Sequence, residues 1–153
     1  MYISGTNYPI YPNEMPQSAV QLKLDRSGRA TVFCGVSDIG QGADSMLATI
    51  VCEELGLDLR DVRVVAADTD LTPVDLGSYS SRETFMCGNA CLDAARQLRE
   101  RIAETLAEMW GCRKSDIVLA NGLAVATSDP VNHAMSIKDA FQAAEARHGT
   151  LGS

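Results

Sequence analysis

With 153 residues, 46% of them apolar and 22% charged, the chain has the composition of one soluble globular domain rather than of a disordered segment. A formal net charge of −7 argues against nucleic acid or an acidic membrane surface as partners, since both require a basic face. The five cysteines are odd in number, form no CxxC pair and fit a reducing cytoplasm better than a disulfide framework.

Residues 1–18, "MYISGTNYPIYPNEMPQS", carry three prolines and little periodicity, so an irregular N-terminal arm is expected there. A chain that opens this way reads as a piece of something longer, with residues 19–153 as its folded part. No basic-then-apolar leader and no membrane-length apolar run is visible, so a soluble cytoplasmic location is the expectation.

Val20, Leu22 and Leu24 alternate with Gln21 and Lys23, the pattern of a half-buried strand. "DRSG" supplies a turn, and Ala30–Gly35 a returning strand. From Ala43 the period changes to helical through Leu47, Ile50, Val51 and Leu55, with Gly56 placed to end the helix. "VRVVAA" (62–67) reads as a buried strand, and a loop follows to Ser81.

The longest periodic stretch places Phe85, Leu92, Ala95, Leu98, Ile102, Leu106 and Met109 on one helix face, opposite Asp93, Arg96, Arg99, Glu100 and Glu104. Gly88 within it suggests a close backbone approach. "DIVLANGLAVAT" reads as a hairpin turning at Asn121-Gly122, and "SIKD" (136–139) as a capping box before a last helix. The order β-β-α-β-α-β-β-α predicts an α+β fold: one mixed sheet of about five strands, with helices packed mainly on one face.

Two helix starts could carry chemistry. Gly40-Gln41-Gly42 precedes the first helix, where unpaired N–H groups and glycine flexibility suit a phosphate, although a plain glycine turn has the same pattern. The stretch Gly77 to Thr84, "GSYSSRET", offers a second such start, or simply a Ser-rich cap with Glu83 in the first turn. Ser80 lacks a GxSxG context and a nearby histidine, which argues against a nucleophile. Asp68, Asp70 and Asp75 lack the spacing of a calcium loop and are read as solvated carboxylates. Cys87 and Cys91, four apart, could share a helix face as a metal pair or as buried thiols. His133 and His148 read as surface or capping residues.

The run from Asp38 to Leu98, with its "DIGQGADSM", "ADTDLTPVDLGSYSSRETFM" and "CGNACLDAARQL", resembles the second molybdenum-binding domain of the xanthine oxidase and dehydrogenase family. Within that family, "ADTDLTPVDLGSYSSRETFM" and "AFQAAEARHGTLGS" are most similar to the alpha subunits of 4-hydroxybenzoyl-CoA reductases. The resemblance implies that Gly40, Gln41 and Gly42 contact the phosphate and pterin of a molybdopterin cofactor, in bacteria often the cytosine dinucleotide form. It implies that Tyr79, Ser80, Ser81 and Glu83 approach the metal centre and pterin.

The family's GGFGG segment and its late GxGE glutamate do not occur in this sequence, so the resemblance implies a partial domain without activity of its own. Implied partners are the remainder of a large subunit, an iron–sulfur subunit, a flavin (FAD) subunit, and an aromatic acyl-CoA or other small aromatic substrate. The reaction implied is reductive dehydroxylation, or hydroxylation as in the xanthine, aldehyde and nicotinate enzymes. Two rival readings are an interaction module that self-associates through faces a partner would cover, and a self-contained enzyme built on the Asp68–Asp75 loop.

Overall fold

Alternating burial along the first two strands builds the first sheet. The computed structural model describes residues 18–79 and 81–153. Strands β1 (Val20–Leu24) and β2 (Ala30–Cys34) form the antiparallel hairpin expected, with Leu22, Leu24, Val32 and Cys34 buried. The chain then crosses through helix α1 (Ala43–Leu55) to β3 (Val62–Ala66), which lies parallel to β2. A β-α-β crossover of this kind is what a parallel neighbour requires. Residues 151–153 run along the free side of β1, with Leu22 donating to the Ser153 carbonyl at 2.7 Å and Leu24 to that of Leu151 at 3.0 Å.

A π-helical turn (Glu83–Cys87) opens helix α2 (Gly88–Trp110), which packs on α1 and on the last helix. The second sheet is a meander of β4 (Ile117–Ala120), β5 (Leu123–Ala126) and β6 (Ala134–Ser136), followed by α3 (Ile137–His148). Asn121 and Gly122 both have positive φ, 51° and 77°, as the expected turn requires. The Ser136 hydroxyl accepts the Asp139 amide at 3.1 Å, capping α3.

The α+β class stands, but the single sheet of about five strands is replaced by two separate three-stranded sheets. Periodicity reports which face of a strand is buried, not which strand lies beside it. Here β4 does not pair with the first sheet. Its backbone abuts Gly56 at the end of α1, where an added Cβ would lie 2.5 Å from the Ala120 nitrogen. Gly122 donates to the Gly56 carbonyl at 2.8 Å, fastening the turn there. With only three residues, β6 is too short for alternation to reveal it.

Other expectations shift with the tertiary contacts. Strand β3 is half-buried rather than buried. Phe85 and Met109, placed on the apolar face of α2, are 55% exposed; the buried stripe runs through Cys91, Ala95, Leu98, Ile102 and Leu106. Phe85 sits on the π-helical turn, outside the α-helical phase. An added Cβ at Gly88 would meet Ile50 at 3.5 Å, an ordinary contact, so that glycine permits no specially close approach. The irregular arm expected over 1–18 lies, Ser18 apart, outside the described residues. No helix among the described residues is long and apolar enough to cross a membrane.

Candidate functional site

Helix α1 begins immediately after two glycines in the left-handed region, Gly40 at φ 99° and Gly42 at φ 82°. Side chains rarely adopt that backbone, and an added Cβ at either position would meet only open space. The amides of the helix start are engaged from within the chain. Asp38 accepts from the Gly40 amide at 2.8 Å, the Gly42 amide at 3.4 Å and the Asp44 amide at 3.4 Å. These N–H donors, Gly40 foremost, hold the Asp38 carboxyl below the usual carboxylate range. A carboxylate thus rests where the sequence pattern suggested a phosphate.

Gln41 is oriented at both ends of its carboxamide. Its Oε1 accepts from the Ile39 amide at 2.6 Å, and its Nε2 donates to the Ser37 carbonyl at 3.2 Å and to the Glu83 carboxylate. The Ser78 hydroxyl lies 2.5 Å from the same Ser37 carbonyl and against the other oxygen of Glu83. Glu83 is only 6% exposed, and its buried carboxylate is met by one donor from the distant start of α1, Gln41, and one from its own preceding loop, Ser78. Glu83 does lie in the first turn, as expected, but it faces Gln41 and Ser78, and the Ser-rich cap does not form: no side chain caps the turn.

The loop before α2 is held from beneath. Arg82 is completely buried and pairs with Asp75, whose side chain is 1% exposed. Asp75 is therefore no solvated loop carboxylate, contrary to the expectation from spacing. Gly77 has φ 98° and Ser81 φ 59°, the latter costly for a residue with a Cβ. The Tyr79 phenol oxygen is buried without a hydrogen-bond partner among the described residues, and so is Asp44 Oδ1. Burial, with Asp38 and Glu83 nearby, pushes the Asp44 carboxyl above its ordinary value.

These segments enclose a cleft of about 320 Å³ lined by Gln41, Ser78, Tyr79, Ser81, Arg82 and Glu83, with Ile39 beside them. Of the residues singled out from sequence, Gln41, Tyr79, Ser81 and Glu83 meet in it. Gly40 and Gly42 form the adjoining turn, and Ser80 lies outside the described residues. Sequence reasoning missed Asp38, Asp75 and Arg82. An aspartate two positions before a glycine at a helix start signals the first, but nothing local signals the buried pair.

A larger cavity, about 480 Å³, lies at the other end of α1 among Glu53, Asp58, Asp61 and Asn121 and contains no residue singled out for chemistry. Cys34, Cys87 and Cys91 are fully buried in the core, with the Cys87 thiol against Cys34. Among the described residues no group of three His, Cys, Asp or Glu side chains could hold a metal ion. His133 stacks on Trp110 with ring centroids 5.5 Å apart, and His148 contacts Thr105 at 3.1 Å.

Comparison with known proteins agrees with this architecture. The chain is 33% identical over 139 residues to the xanthine dehydrogenase molybdenum-binding subunit of Escherichia coli O157:H7, covering 90% of this chain and 18% of that protein. It is 38% identical over 101 residues to the 6-hydroxypseudooxynicotine dehydrogenase complex subunit gamma of Paenarthrobacter nicotinovorans, 66% of this chain and 13% of that one. Its fold matches CO dehydrogenase from Oligotropha carboxidovorans with a TM-score of 0.80 at 21% identity, over 97% of this chain and 20% of that chain. The chain thus spans less than a fifth of the curated relatives named here. A family model for the molybdopterin cofactor-binding domain matches residues 1–152, and the chain belongs to that family.

Proposed function

We propose that the cleft between the start of α1 and the turn opening α2 receives the pterin part of molybdopterin, in a larger molybdenum-dependent oxidoreductase subunit. One observation carries this reading: Gln41 and Glu83, 42 positions apart, meet with Tyr79 and Ser81 in one cleft. The donor set suits such a group. A carboxamide, a carboxylate and hydroxyls together offer the donors and acceptors that a pterin edge needs. Open space at Gly40, Gly42 and Gly77, and the unpartnered Tyr79 phenol, leave room and polarity for it. Ser80 joins this set by its place between Tyr79 and Ser81.

When bound, molybdopterin supplies a molybdenum centre that exchanges electron pairs with a substrate. The residues here bind and orient. Glu83 accepts N–H donors from a ligand edge, Gln41 is held square to it by Ile39 and Ser37, and Tyr79 provides a wall. A cofactor phosphate at Gly40 and Gly42 must displace the Asp38 carboxylate from those amides. Exposed Ile39 and Phe85 near the cleft fit coverage by further parts of the subunit.

For the whole subunit, the likeness of "ADTDLTPVDLGSYSSRETFM" to 4-hydroxybenzoyl-CoA reductases supports reductive dehydroxylation of that thioester. It would use the cytosine dinucleotide cofactor, with electrons from iron–sulfur and flavin partners. The relatives named above favour a second reading, a xanthine-type or nicotine-type dehydrogenase. The test expresses the subunit carrying this sequence together with the enzymes of molybdopterin synthesis, and measures the fluorescent pterin released on oxidation. Pterin is expected with the wild type and to fall several-fold in Gln41→Ala and Glu83→Ala at unchanged circular dichroism. Equal pterin in all three, or none in any, overturns the reading. Turnover of 4-hydroxybenzoyl-CoA with a reducing dye, against xanthine with an oxidising dye, separates the two reactions.

A further inference from the structure

We infer that Asp75 and Arg82 are a positioning pair that holds the loop residues Gly77, Ser78, Tyr79 and Ser81 in the arrangement that lines the cleft. The consequence for ligand binding rests on the pterin reading above, whereas the geometry stands without it.

Among the described residues Arg82 is the largest fully buried side chain, and the Asp75 side chain is buried with it. A buried ion pair is a poor device for stability, because desolvation offsets most of the attraction and apolar replacements often do as well. This one is wired to both ends of a single loop. The Asp75 oxygen that meets Arg82 also accepts the Gly77 amide at 2.9 Å, and the other oxygen accepts the Ser18 hydroxyl. At the far end the Arg82 amide donates to the Tyr79 carbonyl at 2.8 Å, and the guanidinium lies 6.0 Å from the Tyr79 ring. Between these anchors lie Ser78, Tyr79 and Ser81, all of which line the cleft.

The loop needs such anchoring. Gly77 and Ser81 are both left-handed, and a non-glycine residue stays there only where its surroundings over-determine it. The seat beneath is equally specific. A Cβ at Gly35, just past β2, would lie 2.2 Å from the Pro73 carbonyl and 2.8 Å from the Asp75 Cβ. Asp75 therefore rests directly on the sheet backbone. Arg82 and Glu83, adjacent in sequence, divide the work: the first fastens the loop from below, the second faces Gln41 and Ser78.

The experiment compares the double variant Asp75→Leu/Arg82→Met, which removes both charges at similar bulk, with the conservative Arg82→Lys. Amide hydrogen exchange and released pterin are both read. In the double variant the thermal midpoint is expected to hold within a few degrees. The amides of Gly77, Ser78, Tyr79 and Ser81 should exchange at least about tenfold faster, those of α1 and β4–β5 at wild-type rates, and pterin yield should drop severalfold. Arg82→Lys should restore part of the protection. Wild-type exchange in the loop of the double variant overturns the inference, as does protection lost throughout the protein in both variants, which marks a purely structural pair. Selective loosening of the loop with no pterin in the wild type upholds the inference and sinks the pterin reading.

Discussion

Gln41 Nε2 donates to the carboxylate of Glu83 across 42 positions of chain, joining the start of α1 to the turn that opens α2. Both partners belong to segments that local patterns mark as helix starts, and their meeting turns two unremarkable turns into one cleft.

Removing Gln41 leaves the buried Glu83 with the Ser78 hydroxyl as its remaining side-chain partner among the described residues. Gln41→Ala is expected to destabilise by about 1–3 kcal/mol, the cost of under-satisfying a buried charged acceptor. Glu83→Gln should cost less, because the amide retains an acceptor for Gln41. Urea unfolding monitored by Trp110 fluorescence measures both, and the reverse ranking would contradict the hydrogen-bond assignment.

Gly56 and Gly111 both end helices in the left-handed region, at φ 68° and 64°, but only Gly56 is crowded. Alanine at Gly111 is expected to cost about 1–2 kcal/mol, the backbone penalty alone. At Gly56 the new Cβ also drives into the β4 backbone, so Gly56→Ala should exceed that by about 2 kcal/mol or more. Similar unfolding free energies for the two variants would show that β4 is not packed against the end of α1 there.

The carboxyls of Asp38 and Asp44 should act on stability with opposite signs. Asp38 is held below the ordinary value, so its contribution is complete above that value and is lost as pH falls through its folded pKa. Asp44 is raised above its ordinary value of 3.8, so folding is penalised above its folded pKa and relieved as pH falls through it. Asp44→Asn is therefore expected to raise the thermal midpoint at about pH 7 and to have no effect by about pH 3. A midpoint difference independent of pH would refute the assignment.

Thiol accessibility offers a direct check on the core. Burial pushes the Cys91 thiol up to about 12, and Cys34 and Cys87 are equally enclosed, while Cys112 is half-exposed. A thiol reagent at about pH 8 should modify Cys112 quickly in the native protein and reach Cys34, Cys87 and Cys91 only on unfolding. Mass mapping of the labelled peptides reads this out.

Much of the secondary structure could be read from local pattern: alternation at Val20–Leu24, the helical period from Ala43, the Asn121-Gly122 turn and the Ser136 cap. These features depend on contacts between near neighbours, so neighbouring letters carry them. The long run from Asp38 to Leu98 carried the family as well. Partnership between distant segments is different in kind. That β4 abuts Gly56 instead of joining the first sheet, that Asp75 lies beneath its loop paired with Arg82, and that Glu83 faces Gln41 all depend on packing across the core. Burial there changes the energetics of charge, and no local pattern reports which polar groups will meet.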